Sequence, residues 1–133
     1  VPVAASVQTM VVISPETIQL DPLDTTTVTL DVACSQMHDA QPGEGGKANR
    51  FHVQSTPASG ALAKLLRSTA FAAADFRLQQ FAIWTITDNP TRSGYVGLGA
   101  FGVGSGPSAA EIREIKSMFR SAGIDTSHYR ALR

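Results

Sequence analysis

The sequence predicts an α+β domain in which an N-terminal antiparallel β-sheet packs against a bundle of about three helices. The first part of the chain carries runs of Val, Ile and Thr separated by turn residues, a pattern typical of strands. The remainder carries apolar residues at helical spacing. A length of 133 residues suits one domain. We therefore expect a single domain over 1–133, β-rich over 1–54 and helical over 56–133.

The N-terminal strands are separated by Ser14-Pro15 and by the turn sequence at 21–24. In the longest of them, Leu30 and Val32 alternate with polar residues, which predicts a half-buried strand that ends at Cys34. A short strand is also expected at 51–53, after a proline- and glycine-containing segment at 41–49 that is typical of a mobile loop. The three N-terminal strands are predicted at 10–13, 17–20 and 25–34.

Two helices follow. Thr56-Pro57 resembles a cap followed by a first-turn proline, and leucines at helical spacing carry the first helix to about Thr69. Asp75 can cap the second, whose side chains leave almost no polar face before Asp88-Asn89-Pro90 ends it. A helix that is apolar on nearly all sides belongs in the interior. The second helix is therefore predicted to be the central one.

The last third contains a glycine-rich segment and a well-marked helix. Residues 95–107 alternate glycine with apolar residues, which fits a weakened strand or a flap, and the absence of a following Lys-Ser/Thr argues against a phosphate-binding loop. Ser108 and Glu111 form a capping box, and Gly123 stands where a helix commonly ends. The third helix is expected between them, with a final turn over 127–132.

Charge and composition narrow the classes of partner. Eleven basic and eleven acidic residues cancel, and no stretch concentrates Lys and Arg, so we expect neither nucleic acid nor an anionic membrane surface as a partner. No apolar run reaches the roughly 20 residues that span a bilayer, so we expect no membrane insertion. The single cysteine excludes an internal disulfide. The low charged fraction of 17% favours an exported protein.

The most informative residues are Cys34 and a glutamine, Gln80, in the apolar run that ends at Trp84. On a helix, Gln80 shares its face with Phe76, Ile83 and Trp84, so its carboxamide is buried by pattern. A buried carboxamide without hydrogen bonds costs roughly 1–3 kcal/mol, so it must find a partner. The Cys34 thiol is one candidate for that partner.

The string Gln80-Phe81-Ala82-Ile83-Trp84, preceded by Cys34 at the end of a β-rich segment, resembles the thioester domains of bacterial cell-surface adhesins. The resemblance implies that Cys34 carries the sulfur, that Gln80 supplies the acyl group with loss of ammonia, and that Trp84 helps to exclude water. It also implies an extracellular or cell-surface location and attachment to a protein or another amine-bearing surface ligand. Gln79 is equally buried by pattern, and the motif favours Gln80.

Two other interpretations of these residues remain open. Cys34 and Gln80 could form an ordinary core, with a free buried thiol in a non-covalent structural or interaction domain of an exported protein. Cys34 and His38 could instead form a nucleophile and base, although His38 is predicted to be a loop residue at the rim of the site. The histidines are too few and too irregularly spaced for a zinc site. We expect no enzyme activity, no metal and no cofactor.

Overall fold

A computed structural model describes residues 8–39, 51–54, 56–95 and 106–133 of the protein. The predicted α+β class is confirmed: a two-stranded antiparallel sheet packs with the helices around one hydrophobic core. The elements within these residues are β1 (Met10–Val12), β2 (Val32–Cys34), α1 (Gly60–Leu66), α2 (Thr69–Ala72), α3 (Phe76–Thr87), α4 (Ala109–Ser121) and a final 3-10 helix (Arg130–Leu132).

The sheet is much smaller than predicted. β1 and β2 pair with Met10 opposite Cys34 and Val12 opposite Val32. The strand predicted at 17–20 and the first part of the one predicted at 25–34 are wrong, because the chain over 15–29 is exposed and joins no ladder. Ile18, Leu20 and Val28 are each more than 40% exposed, and β-propensity needs packing on such side chains to produce a strand.

The strand predicted at 51–53 is also wrong. This segment belongs to no strand, and its last residue, Val53, is 96% exposed. Short apolar runs specify a strand only where a neighbouring strand or a packed face receives them. The predicted loop at 41–49 and the glycine-rich segment over 96–105 lie outside the described residues.

The predicted first helix is two helices. α1 begins at Gly60, with Ser59 as its N-cap residue, and not at Thr56-Pro57. It ends before Ser68, whose backbone is extended and whose side chain accepts a hydrogen bond from the Phe71 N–H at 3.0 Å. A serine that caps a new helix interrupts the old one, because its hydroxyl offers the backbone an alternative partner. α2 starts there.

α3 is the central helix, as predicted. The Asp75 carboxylate caps it by accepting a hydrogen bond from the Leu78 N–H at 2.8 Å. Every residue from 78 to 85 is buried, and the helix packs against β2, α1 and α4. Asn89, with a positive φ of 47°, and Pro90 follow its end. Helical periodicity without a polar face correctly indicated an interior helix.

α4 is also confirmed. Ser108 and Glu111 form the predicted capping box, with the Ser108 N–H 2.7 Å from the Glu111 carboxylate. Gly123 follows the helix with a φ of 68°, the left-handed conformation that glycine adopts at low cost. The predicted final turn contains the 3-10 helix. Among the described residues, no helix is long and apolar enough to cross a membrane.

An ion pair joins the central helix to α4. The Arg77 guanidinium donates to the Glu111 carboxylate and, at 3.2 Å, to the Gly106 carbonyl, and its centre lies 4.7 Å from the centroid of the Phe81 ring. The hydrogen bond from Arg77 lowers the pKa of Glu111 from its usual 4.5 to about 2, against a smaller opposing effect of burial. The carboxylate therefore stays ionised in the folded protein at pH values where the unfolded chain is protonated.

This pKa difference predicts an acid-dependent loss of stability. Because the pKa of Glu111 is lower in the folded protein, its carboxylate stabilises the fold above pH 4.5. That contribution is lost as the pH falls toward about 2. Urea unfolding at a series of pH values should show a weaker dependence on pH in this interval for Glu111→Gln than for the natural protein. Glu114→Gln, on an exposed position of the same helix, is the matched control. Equal pH profiles for the natural protein and Glu111→Gln would contradict the assignment.

The burial of Trp84 generates a second prediction. Its side chain is 2% exposed, and its ring meets Phe81 edge to face at 5.9 Å between centroids. Trp84→Ala should lower the free energy of unfolding by about 3–5 kcal/mol, the range for truncation of a large core side chain. Denaturant titration measures it, with exposed Val53→Ala as the control. A loss similar to that of the control would show that Trp84 is not a core residue.

Candidate functional site

The structure brings Cys34 and Gln80 together from positions 46 residues apart in the sequence. The Cys34 N–H donates to the Gln80 side-chain oxygen Oε1 at 2.9 Å, and Gln80 Nε2 donates to the Cys34 carbonyl at 2.7 Å. Gln80 thus uses its donor and its acceptor on the backbone of one residue. This arrangement, the amide clamp, fixes the end of β2 to the middle of α3.

The geometry of the sheet explains why Cys34 has backbone groups to offer. Ser35 and Ile13 donate their N–H groups across the sheet, to the carbonyls of Thr9 and Asp31. Cys34 lies on β2 between Asp31 and Ser35 and is paired with Met10 at a non-hydrogen-bonded position of the ladder. Its N–H and C=O therefore point away from β1. The Gln80 carboxamide occupies the place that a third strand would take.

Both members of the amide clamp are shielded from water. Gln80 is 1% exposed and Cys34 is 8% exposed. The Cys34 thiol is free, and its Sγ lies 4.0 Å from the Met10 sulfur. Burial raises the pKa of the Cys34 thiol above its usual 9.0, because the apolar surroundings disfavour the thiolate. The uncombined thiol is therefore protonated and weakly nucleophilic at neutral pH.

Gln79 has a different partner from Gln80. Its Nε2 donates to the Phe71 carbonyl at 2.9 Å, at the end of α2, and its side chain is also buried. The two neighbouring glutamines thus hold α3 to different elements, Gln79 to α2 and Gln80 to β2. Of these two glutamines, only Gln80 forms hydrogen bonds with Cys34.

Trp84 lies one turn after Gln80 in the same core cluster as Cys34. Its indole Nε1 is buried and has no hydrogen-bond partner in the part of the chain that the structure describes. The indole ring packs on Phe81, which in turn packs on Tyr95 at 5.4 Å between ring centroids. These three rings, which we call the aromatic wall, belong to the same buried core as Cys34.

His38 lies apart from the amide clamp. It is exposed and lines a cavity of about 190 Å³ together with Met37, Asp88 and Arg130. Cys34 and Gln80 do not line this cavity. His38, which we expected at the rim of the site, therefore lines this separate cavity. Among the described residues, no group of three or more His, Cys, Asp or Glu side chains is arranged to hold a metal ion.

Sequence reasoning missed a second glutamine that holds the same segment. The Gln8 carboxamide accepts a hydrogen bond from the Gln36 N–H at 2.9 Å and donates to the Gln36 carbonyl at 2.8 Å, repeating the arrangement of the amide clamp. Asp88 accepts a further hydrogen bond from the Met37 N–H at 3.2 Å. No periodic pattern marks Gln8, so its role depends on long-range pairing that the local sequence does not encode.

Comparison with known protein families, with curated proteins and with solved structures finds no match to this chain. The functional argument therefore depends on the residues of the site.

The amide clamp predicts unequal roles for the two adjacent glutamines. Gln80→Ala leaves a buried N–H and a buried C=O of Cys34 without partners, whereas Gln79→Ala leaves the Phe71 carbonyl with the Ala74 N–H as its remaining donor. At about 1–3 kcal/mol for each orphaned group, Gln80→Ala should destabilise the protein by about 2–6 kcal/mol, and Gln79→Ala should destabilise it less because it orphans no backbone group. Denaturant titration of both variants measures the difference. A loss for Gln80→Ala no larger than that for Gln79→Ala would contradict the unequal roles of the two glutamines.

Proposed function

We propose that the protein is an exported surface or secreted binding domain that attaches covalently to an amine-bearing ligand through a thioester between Cys34 and Gln80. The observation that carries the proposal is the position of the Gln80 carboxamide on the backbone of Cys34, in a site closed to water. The resemblance of the Gln80 to Trp84 string to thioester adhesins agrees with it.

The bond-forming step balances without a cofactor. Cys34 Sγ attacks the side-chain carbonyl carbon of Gln80, the thiol proton passes to the departing nitrogen, and ammonia leaves. Negative charge develops on Oε1 during this attack, and the Cys34 N–H already donates to that oxygen at 2.9 Å. A fixed donor at the developing oxyanion stabilises the transition state more than the ground state. The burial of both residues protects the product from hydrolysis.

The ligand step follows from the same chemistry. A primary amine attacks the thioester carbonyl carbon, the C–S bond breaks, and the sulfur leaves with a proton as the Cys34 thiol. The product is an amide between the ligand and residue 80. A thiolate is a far better leaving group than an amide nitrogen, so the thioester is activated toward amines while the burial of Cys34 and Gln80 limits access of water.

A non-covalent interaction domain is the second candidate function, favoured by two observations. The Gln80 carboxamide already has both hydrogen bonds that its burial requires, and burial raises the pKa of the thiol, which slows its attack. In this alternative the amide clamp serves only to hold β2 to α3, and Cys34 is an unreactive core residue.

Intact mass spectrometry and methylamine treatment separate the two candidates. With the thioester, the native protein is lighter than its sequence by one ammonia, carries no titratable thiol when unfolded, and incorporates methylamine at residue 80 with release of the Cys34 thiol. Full sequence mass with one thiol would end the covalent proposal and leave the non-covalent one. An adduct on Gln79 would move the acyl group by one residue and contradict the assignment to Gln80.

Cys34→Ala is the matched control. It removes the sulfur and keeps the backbone groups that Gln80 binds, so the fold should persist, the full sequence mass should appear, and methylamine should not react. Gln80→Ala removes the clamp together with the acyl group. Comparison of the two variants therefore distinguishes loss of chemistry from loss of structure.

A further inference from the structure

The cavity that His38 lines also contains two opposite charges that do not pair with each other. Its walls come from the segment after β2, from the end of α3 with the turn beyond it, and from the final 3-10 helix. Asp88 and Arg130 both contribute to the lining, and neither forms a salt bridge with any described residue. Opposite charges attract, so two that share a cavity and stay apart must each be held in place by other groups.

The Asp88 carboxylate is held by neutral donors. Its Oδ1 accepts a hydrogen bond from the Met37 N–H at 3.2 Å, and its Oδ2 accepts one from the Thr87 hydroxyl at 2.7 Å. Neither donor is charged, so the negative charge of the carboxylate is not neutralised. Each carboxylate oxygen can accept a second hydrogen bond. Asp88 can therefore bind a cationic group in the cavity without giving up the contacts that orient it.

Arg130 is held by a residue with an uncommon backbone conformation. Asn89 has a positive φ of 47°, its side-chain oxygen accepts a hydrogen bond from the Arg130 N–H at 2.8 Å, and its carbonyl accepts one from Arg130 Nε at 2.7 Å. The terminal nitrogens Nη1 and Nη2 of Arg130 make no hydrogen bond with the described residues. The end of the guanidinium that binds carboxylates in a two-pronged manner is thus available.

The rest of the cavity gives space for a small apolar group. Met37 and Pro90, both buried, contribute apolar lining. A turn closed by the Gly94 N–H and the Thr91 carbonyl at 3.0 Å forms another wall, and a Cβ at Gly94 would lie 2.9 Å from the Thr91 hydroxyl. The volume is about 190 Å³. Since about 150 Å³ holds a benzene molecule, this cavity holds a ligand of about eight non-hydrogen atoms.

We propose that this cavity binds a small zwitterion of the α-amino acid class, with the ammonium group on Asp88 and the carboxylate on Arg130. A ligand with one negative charge would face the Asp88 carboxylate, and a ligand with one positive charge would face the guanidinium. A ligand that carries both charges is complementary to both groups. An apolar side chain of the ligand packs on Met37 and Pro90. The cavity excludes the amide clamp, so this proposal does not depend on a thioester.

An NMR titration with three matched probes tests the proposal on the natural protein. L-Valine carries both charges, 3-methylbutanoate lacks the ammonium group, and 2-methylpropylamine lacks the carboxylate. L-Valine should shift the amide resonances of Met37, Thr91 and Gly94 to saturation. The other two should bind about tenfold or more weakly, because each loses a charge-assisted contact. No saturable shift with L-valine up to its solubility limit, or equal binding of the three probes, would overturn the proposal.

Two variants test which group binds which end of the ligand. Asp88→Asn keeps an oxygen for the Met37 N–H and removes the negative charge. It should weaken L-valine binding about tenfold and leave 3-methylbutanoate bound as well as before or better, because the repulsion of its carboxylate is gone. Arg130→Gln should show the mirror image, with 2-methylpropylamine as the probe that is retained. Glu114→Gln and Arg120→Gln, at exposed positions of α4 outside the cavity, are the matched controls and should bind L-valine as the natural protein does.

The opposite changes in probe preference separate a role in binding from damage to the fold. A variant that has merely lost structure binds all three probes less well, and circular dichroism identifies it. Unchanged binding of L-valine by either folded variant, or the same loss for all three probes in both, would overturn the proposal. If a variant does not fold, the comparison of the three probes on the natural protein decides.

Discussion

The two hydrogen bonds between Gln80 and the backbone of Cys34 are the constraint on which the rest of the structure depends. A pair of three-residue strands is too short to be stable alone in water. Gln80 attaches that pair of strands to the most buried helix, and Gln8 binds the N–H and C=O of Gln36, two residues after Cys34. The sheet is thus stabilised chiefly by side-chain amides and by the core beneath it.

The same constraint gives the candidate site its chemical character. A carboxamide bound at both its oxygen and its nitrogen is held in one position on the backbone of Cys34. The cost of this arrangement is burial of a thiol whose reactive, ionised form is disfavoured. The burial that shields the site therefore opposes the attack that the covalent proposal requires, and it favours the non-covalent one.

Sequence reasoning succeeded where the determining interactions are local. The caps at Asp75 and Ser108 lie within three residues of the groups they bind, and the apolar pattern of α3 repeats every turn. It failed for the strands at 17–20 and 51–53, because a strand needs partners that composition does not reveal. The split between α1 and α2 depends on a single competing hydroxyl, that of Ser68.

The candidate site was predictable only in part. Helical spacing predicted the burial of Gln80. Its proximity to Cys34 was expected only from the motif, because two residues 46 positions apart share no periodic pattern. The corresponding role of Gln8 had no signal of either kind. His38, expected near the thiol because of its position in the chain, shows that nearness in sequence does not place two side chains at one site.

The amide clamp contacts the main chain of residue 34 and makes no use of its side chain. Any small residue that fits the space beside Met10 could occupy this position with the hairpin still attached to the helix. The role of residue 34 in the fold therefore does not depend on its sulfur atom. Substitution of Cys34 by another small residue would remove the thiol and leave both hydrogen bonds of Gln80 in place.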